Sequence, residues 1–349
     1  MTPDCTFTVR CPADLIAITP YVIGFHPTDS IVVIGTDGPV VTFGVRYDLP
    51  PPPEHQDRDD GDLAGIATMI AGQQIQTATV IGYGPSERVA PEAIRLAFAL
   101  NSFGVRVHDV LRVHHGRWWS YVCDDPRCCP PEGKPCQPLD SRVAAEAVLR
   151  GKVALPDRQA LVAQVAPVSG PPRAAMTAAT ERARARKTDL VGEDLRDRRA
   201  GRAVRRAGRA AVQEVERRSR AGRPLTDDQV AWLGVLLVDG LVQDYALDRC
   251  DGQDWRIQLW TEVTRRAEPS FAAAPACLLG FAAWRSGNGA LARVAVDRAL
   301  KETPGHRLAA LLDHLLCSGI GPQAVVSLSP PARTGGERRS RRSTRRRSR

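Results

Sequence analysis

A chain of 349 residues, 43% of them hydrophobic, is long enough to bury a core without covalent staples. Its formal charge of +9 is unevenly carried: nine arginines against Glu337 give +8 after residue 330, sixteen basic against seven acidic residues give +9 over 173–223, and the rest sums to −8. This excludes a uniformly basic protein, and with no basic-then-apolar leader and a longest apolar run, 230–238, of about half the ~18 residues a spanning helix needs, the expectation is a cytoplasmic protein with no membrane contact.

In chain order, Pro12-Ala13-Asp14 opens an apolar stretch, 15–23, read as a short helix that Gly24-Phe25-His26-Pro27 stops. The β-branched run 31–34 and the stretch 40–47, joined through Thr36-Asp37-Gly38, read as a hairpin, and four prolines at 50–53 open a surface loop. A helix near 63–72, a buried strand at 78–81, a helix near 91–103 and a strand at 105–113 follow. A further strand is expected at 117–122 (RWWSYV), then a cysteine and proline loop, then helices near 142–150 and 157–166. Alternation of strand and helix predicts an α/β domain over 1–166, a mixed sheet with flanking helices.

Pro167-Val168-Ser169-Gly170-Pro171-Pro172 reads as a hinge, and all that follows is helical in pattern. The Arg/Ala-rich segment completing 167–225 is expected as helices broken at Gly192, Gly201 and Gly208, because glycine costs about 1 kcal/mol relative to alanine inside a helix. Thr226-Asp227-Asp228-Gln229 reads as a capping box that starts one apolar helix over 230–242. An all-α domain is predicted over 226–322. Within it 273–306 resembles a single tetratricopeptide unit: Leu279-Gly280, Ala292, Ala299 and Pro304 stand at the motif's small and terminal positions, with Ala276, Ala283 and Val296 in place of its aromatic residues. The arginine-rich tail, 323–349, has too few apolar residues to offset ordering entropy and is expected to be disordered.

Four thiols, Cys123, Cys128, Cys129 and Cys136, lie within fourteen residues of one another, beside His114 and His115. Thiolates suit zinc. The spacing argues against it, because adjacent Cys128 and Cys129 tend to diverge and two histidines in succession on a strand face opposite ways. With nine cysteines scattered along the chain, reduced structural or redox-sensitive thiols are the reading adopted, zinc is the alternative, and no cofactor is otherwise expected.

His26, Asp29 and Ser30 place an imidazole, a carboxylate and a hydroxyl in one turn, a set fit for binding a polar ligand or for turn-making alone. On strand 117–122, Trp118 and Ser120 should share one face and Trp119 and Tyr121 the other, so one pair is core and the other covers a helix or lines a pocket. A ligand site built from the His26 turn with Trp119, Tyr121 and the thiol loop is the expectation. Gly82 and Gly84 follow strand 78–81 as His26 precedes strand 31–34, so the two turns share a pocket only if those strands run antiparallel or if the loop after Val122 folds over an edge. If the chain binds nucleic acid, the 173–223 segment and Arg338, Arg339, Arg341, Arg342, Arg345, Arg346 and Arg347 in the tail are where phosphate contacts, sequence-independent and salt-sensitive, would fall.

Two motifs carry a family resemblance: Cys11-Pro12-Ala13-Asp14-Leu15 with Pro20-Tyr21, Gly24-Phe25-His26-Pro27 and Asp29-Ser30, and Arg117-Trp118-Trp119-Ser120-Tyr121-Val122-Cys123 with Cys128-Cys129-Pro130-Pro131-Glu132-Gly133. They resemble the actinobacterial family known as domain of unknown function 4192, whose members also end in helices similar to those after Thr226. The resemblance spans most of 6–322 and implies no activity; Cys136 and the tail fall outside its pattern. The sequence carries no complete catalytic motif, so the function expected first is binding or regulation through a protein partner or a ligand. Non-specific nucleic-acid association comes second, and an enzyme of undetermined class working around His26 third.

Overall fold

The computed structural model describes residues 7–50, 60–73, 75–136, 141–192 and 198–322. The tail and the loop after Pro50 lie outside the described residues. Helix α1 (Pro12–Ile23) starts with proline at its first turn, where no amide is needed, and stops at Gly24, whose φ of 88° lets its N–H reach the Pro20 carbonyl at 2.8 Å. There follow β1 (Ser30–Asp37), β2 (Val40–Asp48), α2 (Asp60–Ala71), β3 (Thr77–Tyr83), α3 (Ser86–Ser102), β4 (Arg106–His114), β5 (Arg117–Ser120), the short β6 (Lys134–Pro135), α4 (Arg142–Leu149) and α5 (Arg158–Val165).

The strands form one mixed sheet in the order β2-β1-β3-β4-β5-β6, with β3 and β4 parallel and every other pair antiparallel. Strand β1 is covered on both faces, which is why it reads as an unbroken β-branched run: Ile31 and Val33 pack under α2 and α3, Val32 and Ile34 under α1. Pairing of β1 with β3 is antiparallel, Ser30 opposite Tyr83, so the His26 turn and Gly84 do share one end of the sheet.

The remaining chain is helical: α6 (Pro171–Val191), α7 (Arg198–Arg220), α8 (Asp227–Leu236), α9 (Gly240–Asp248), α10 (Asp254–Arg266), α11 (Pro269–Arg285), α12 (Gly289–Glu302) and α13 (Arg307–Cys317). The capping box is present, with Gln229 N–H donating to Thr226 Oγ1 at 3.2 Å and Thr226 N–H to Gln229 Oε1 at 3.0 Å. The single helix expected over 230–242 is instead two, α8 and α9, meeting at 112°, because Asp239 accepts from the Leu241 N–H and starts a new helix. Gly192 does end α6, but Gly201 and Gly208 lie inside an uninterrupted α7. A Cβ on Gly208 would fall 2.4 Å from Val242 Cγ2, so this glycine serves the close crossing of α7 and α9. Over residues 273–306, α11 and α12 pack against each other within the bundle.

One hydrophobic core runs from the α1 face of the sheet through α5 into the helices. The 167–172 segment is tied down on both sides: Val168 N–H donates to the Arg265 carbonyl, and buried Arg298 donates to the Val165 carbonyl at 2.7 Å. Among the described residues no single helix is long and apolar enough to cross a membrane.

Candidate metal centre and binding cleft

The site grows out of the β4–β5 hairpin. His115 and Gly116 both have positive φ, 47° and 70°, the twist that a two-residue hairpin turn requires. The left-handed His115 also leaves the strand geometry that would separate neighbouring side chains, and the His114 and His115 rings lie 3.9 Å apart. The turn sets Arg112 opposite Trp119 and Leu111 opposite Ser120. As expected, Trp118 packs into the core on the α1 side while Tyr121 packs on the α3 side.

Strand β5 ends at Ser120, earlier than the sequence suggests, because its hydroxyl bends the chain. Ser120 Oγ donates to Asp109 Oδ1 at 2.7 Å and accepts the N–H groups of Val122 and Cys123, both at 3.1 Å. The loop then makes a tight turn in which the Cys128 and Cys129 N–H groups both donate to the Asp125 carbonyl, at 3.0 and 2.7 Å. The turn overcomes the divergence expected of adjacent cysteines: the sulfurs of Cys123, Cys128 and Cys129 all lie within 4.8 Å of one another. The loop is closed by β6 and by Arg117, whose guanidinium donates to the Glu132 and Gly133 carbonyls, each at 2.7 Å.

Cys123 and Cys129 are shifted in opposite directions. A hydrogen bond from the Asp125 backbone, and then one from Cys129, holds Cys123 below the usual thiol value. Desolvation, followed by hydrogen bonding to Cys123 and Cys128, pushes Cys129 up to about 12. Cys136 stands apart: it belongs to no such group among the described residues, its N–H donates to the Gly116 carbonyl, and burial raises its thiol.

The thiols open onto a cleft of about 780 Å³ between the start of α1 and the sheet edge, also lined by Cys11, Pro12, Asp109, Trp118 and Lys134. This is within the range of small-ligand sites, roughly 300–1,000 Å³. The cleft's two walls carry the two motifs singled out in the sequence. A family model described as Domain of unknown function (DUF4192) matches residues 12–323. The chain belongs to this DUF4192 family. Comparison with curated proteins and with solved structures finds no match.

In this DUF4192 chain a second, smaller cleft of about 290 Å³ lies on the α3 side and is lined by Arg112, Trp119, Tyr121 and Cys129 among others. Trp119 is clamped there. The Arg112 guanidinium sits 3.6 Å above its ring, Nε1 donates to the Pro131 carbonyl at 2.9 Å, and the Gly133 backbone presses on the indole. Tyr121 shares a hydrogen bond of 3.0 Å with Ser86 at the start of α3.

Neither cleft is lined by the His26 turn. His26 N–H donates to the Leu155 carbonyl at 2.9 Å, Asp29 pairs with Arg88 on α3 in a left-handed conformation of φ 42°, and Ser30 is fully buried with no partner for its hydroxyl among the described residues. Trp119, Tyr121 and the three clustered thiols are therefore brought together, and His26, Asp29 and Ser30 go elsewhere. Cys11, Asp109 and Arg112 escaped the sequence reading. The last was legible, since a two-residue turn at His115-Gly116 fixes the register that puts Arg112 across from Trp119.

Proposed function

We propose that this protein is a zinc-binding protein acting through ligand or partner contacts at the thiol cleft, in a reducing compartment such as the cytoplasm. The observation that carries the reading is the convergence of Cys123, Cys128 and Cys129 within 4.8 Å at the wall of an open cleft. Thiolates are soft ligands that favour zinc, which takes four ligands tetrahedrally. Three come from one preformed loop. The fourth position falls to Cys11, across the same cleft, or to a donor atom of the ligand. The metal would cross-link a loop that otherwise rests on a few hydrogen bonds.

Because each thiol must lose its proton to bind, zinc affinity should rise with pH. Cys123 gives up its proton more readily than Cys129. The test is elemental analysis of protein purified under reducing conditions without chelator, followed by cobalt substitution read through its thiolate charge-transfer absorption. One zinc per chain, lost in Cys128→Ser and kept in Cys136→Ser, is the expected result. Protein that neither retains zinc nor takes up cobalt overturns the proposal.

A further inference from the structure

We propose that the outer face of α7 and the cleft at its C-terminal end bind single-stranded nucleic acid. The helix carries nine arginines and two glutamates. Its apolar side, including Val204, Val212 and Val215, is buried against the bundle. Arg198, Arg202 and Arg206 are exposed one turn apart, at i, i+4 and i+8. Like charges in that spacing repel one another, and a polyanion lying along the helix relieves the repulsion. Among the described residues, Asp239 stands 3.7 Å from Arg205, and Glu214 pairs with Arg217.

The stripe runs into a cleft of about 400 Å³ lined by Arg217, Arg220, Arg249, Arg256, Glu216 and Trp255. Glu216 is buried and holds two guanidiniums in place: Arg249 donates through Nε at 2.8 Å and Nη2 at 2.6 Å, and Arg256 through Nη1 at 2.9 Å. One carboxylate thus fixes two cations, and although Asp251 also reaches Arg256 at 3.0 Å, Arg220 remains as further positive charge on the wall. Guanidiniums held this way lose little freedom when they meet a phosphate. Trp255 adds an aromatic surface beside them, with the Arg256 guanidinium 4.4 Å from its ring. A charged track ending at an aromatic platform is the arrangement that holds a strand by its phosphates and stacks an unpaired base. An acidic peptide would use the charges and leave the tryptophan idle.

The experiment measures anisotropy of a labelled oligothymidine with the full chain across a salt series. Loss of three phosphate contacts in the triple variant Arg198→Gln/Arg202→Gln/Arg206→Gln should lower the magnitude of the log–log salt slope by about 2, at ~0.7 per contact, and weaken binding about a hundredfold at 0.1 M salt. Trp255→Leu should weaken binding about tenfold and leave the slope unchanged. The proposal is overturned if deletion of 323–349 removes binding while the triple variant keeps its slope, which would assign the contacts to the tail. It is equally overturned if duplex DNA binds as tightly as the single strand, or if polyglutamate competes as well as the oligonucleotide.

Discussion

Replacing Gly133 by alanine tests how the thiol loop is held. Gly133 has a φ of 76°, and a Cβ there would lie 2.4 Å from Trp119 Cε2 and 2.8 Å from Nε1. Two costs follow. A left-handed alanine is strained by about 1–2 kcal/mol. The indole must also move, which weakens its contact with Arg112, worth about 0.5–2 kcal/mol, and its hydrogen bond to Pro131, worth about 0.5–1.5 kcal/mol. The sum is about 2–5.5 kcal/mol. Gly116→Ala is the control, because that glycine has a similar φ of 70° and nothing within 4 Å of its absent Cβ, so it reports strain alone. Urea unfolding followed by tryptophan fluorescence should show Gly133→Ala as the less stable variant by about 1–3.5 kcal/mol, the part assigned to Trp119. Equal losses in the two variants would refute the idea that Trp119 is pinned between Arg112 and the loop backbone.

Glu216→Gln removes the carboxylate that neutralises Arg249 and Arg256 and should cost about 2–3 kcal/mol, discounted from buried-pair values because Arg249 is 38% exposed. Glu181→Gln at a surface pair should stay within about 0.5 kcal/mol, and chemical denaturation that ranks the two alike would contradict this. His306 concerns pH. Its Nδ1 accepts the Ala309 N–H at 3.3 Å at the start of α13, and partial burial, foremost, lowers its pKa from the ordinary 6.5. The unfolded chain therefore takes up the proton first. The stabilisation is complete above 6.5 and is lost as pH falls from there through the folded value. A thermal-unfolding series over about pH 5 to 8 should flatten in His306→Asn, which can still cap the helix but does not titrate; an unchanged profile would place the titration elsewhere.

The parts of the fold written in local chemistry were legible. Pro12, the β-branched run of β1 and the Thr226–Gln229 box each mark an element through its own residues. What was missed depends on contacts distant in sequence or on a short polar competitor. Residues 230–242 are apolar on every side, so no periodicity shows that Asp239 starts a second helix. Gly208 looks like a breaker until Val242 is seen packed against it. At the site, Trp119 and the cysteines were recognisable by type, but the convergence of Cys128 and Cys129 depends on both amides sharing the Asp125 carbonyl. The His26 turn was misleading for the opposite reason. The His26 backbone N–H holds Leu155 and the Asp29 carboxylate holds Arg88, which strand direction and helix placement decide.

The two edges of the sheet differ in their exposure to self-association. At one edge β6 is only two residues long and contains Pro135, so it offers almost no ladder for another chain to extend. At the other, β2 is nine residues long, and among the described residues its outer side is met only near its start, where Val41 N–H donates to the Phe7 carbonyl and Val9 N–H to that of Pro39. Conditions that detach residues 7–9 would therefore free the start of a strand whose outer side is otherwise open, and leave its whole length able to template intermolecular pairing. Arg46 and Asp48 then stand as the charged residues opposing it, and aggregation on mild heating or dilute denaturant should begin along β2.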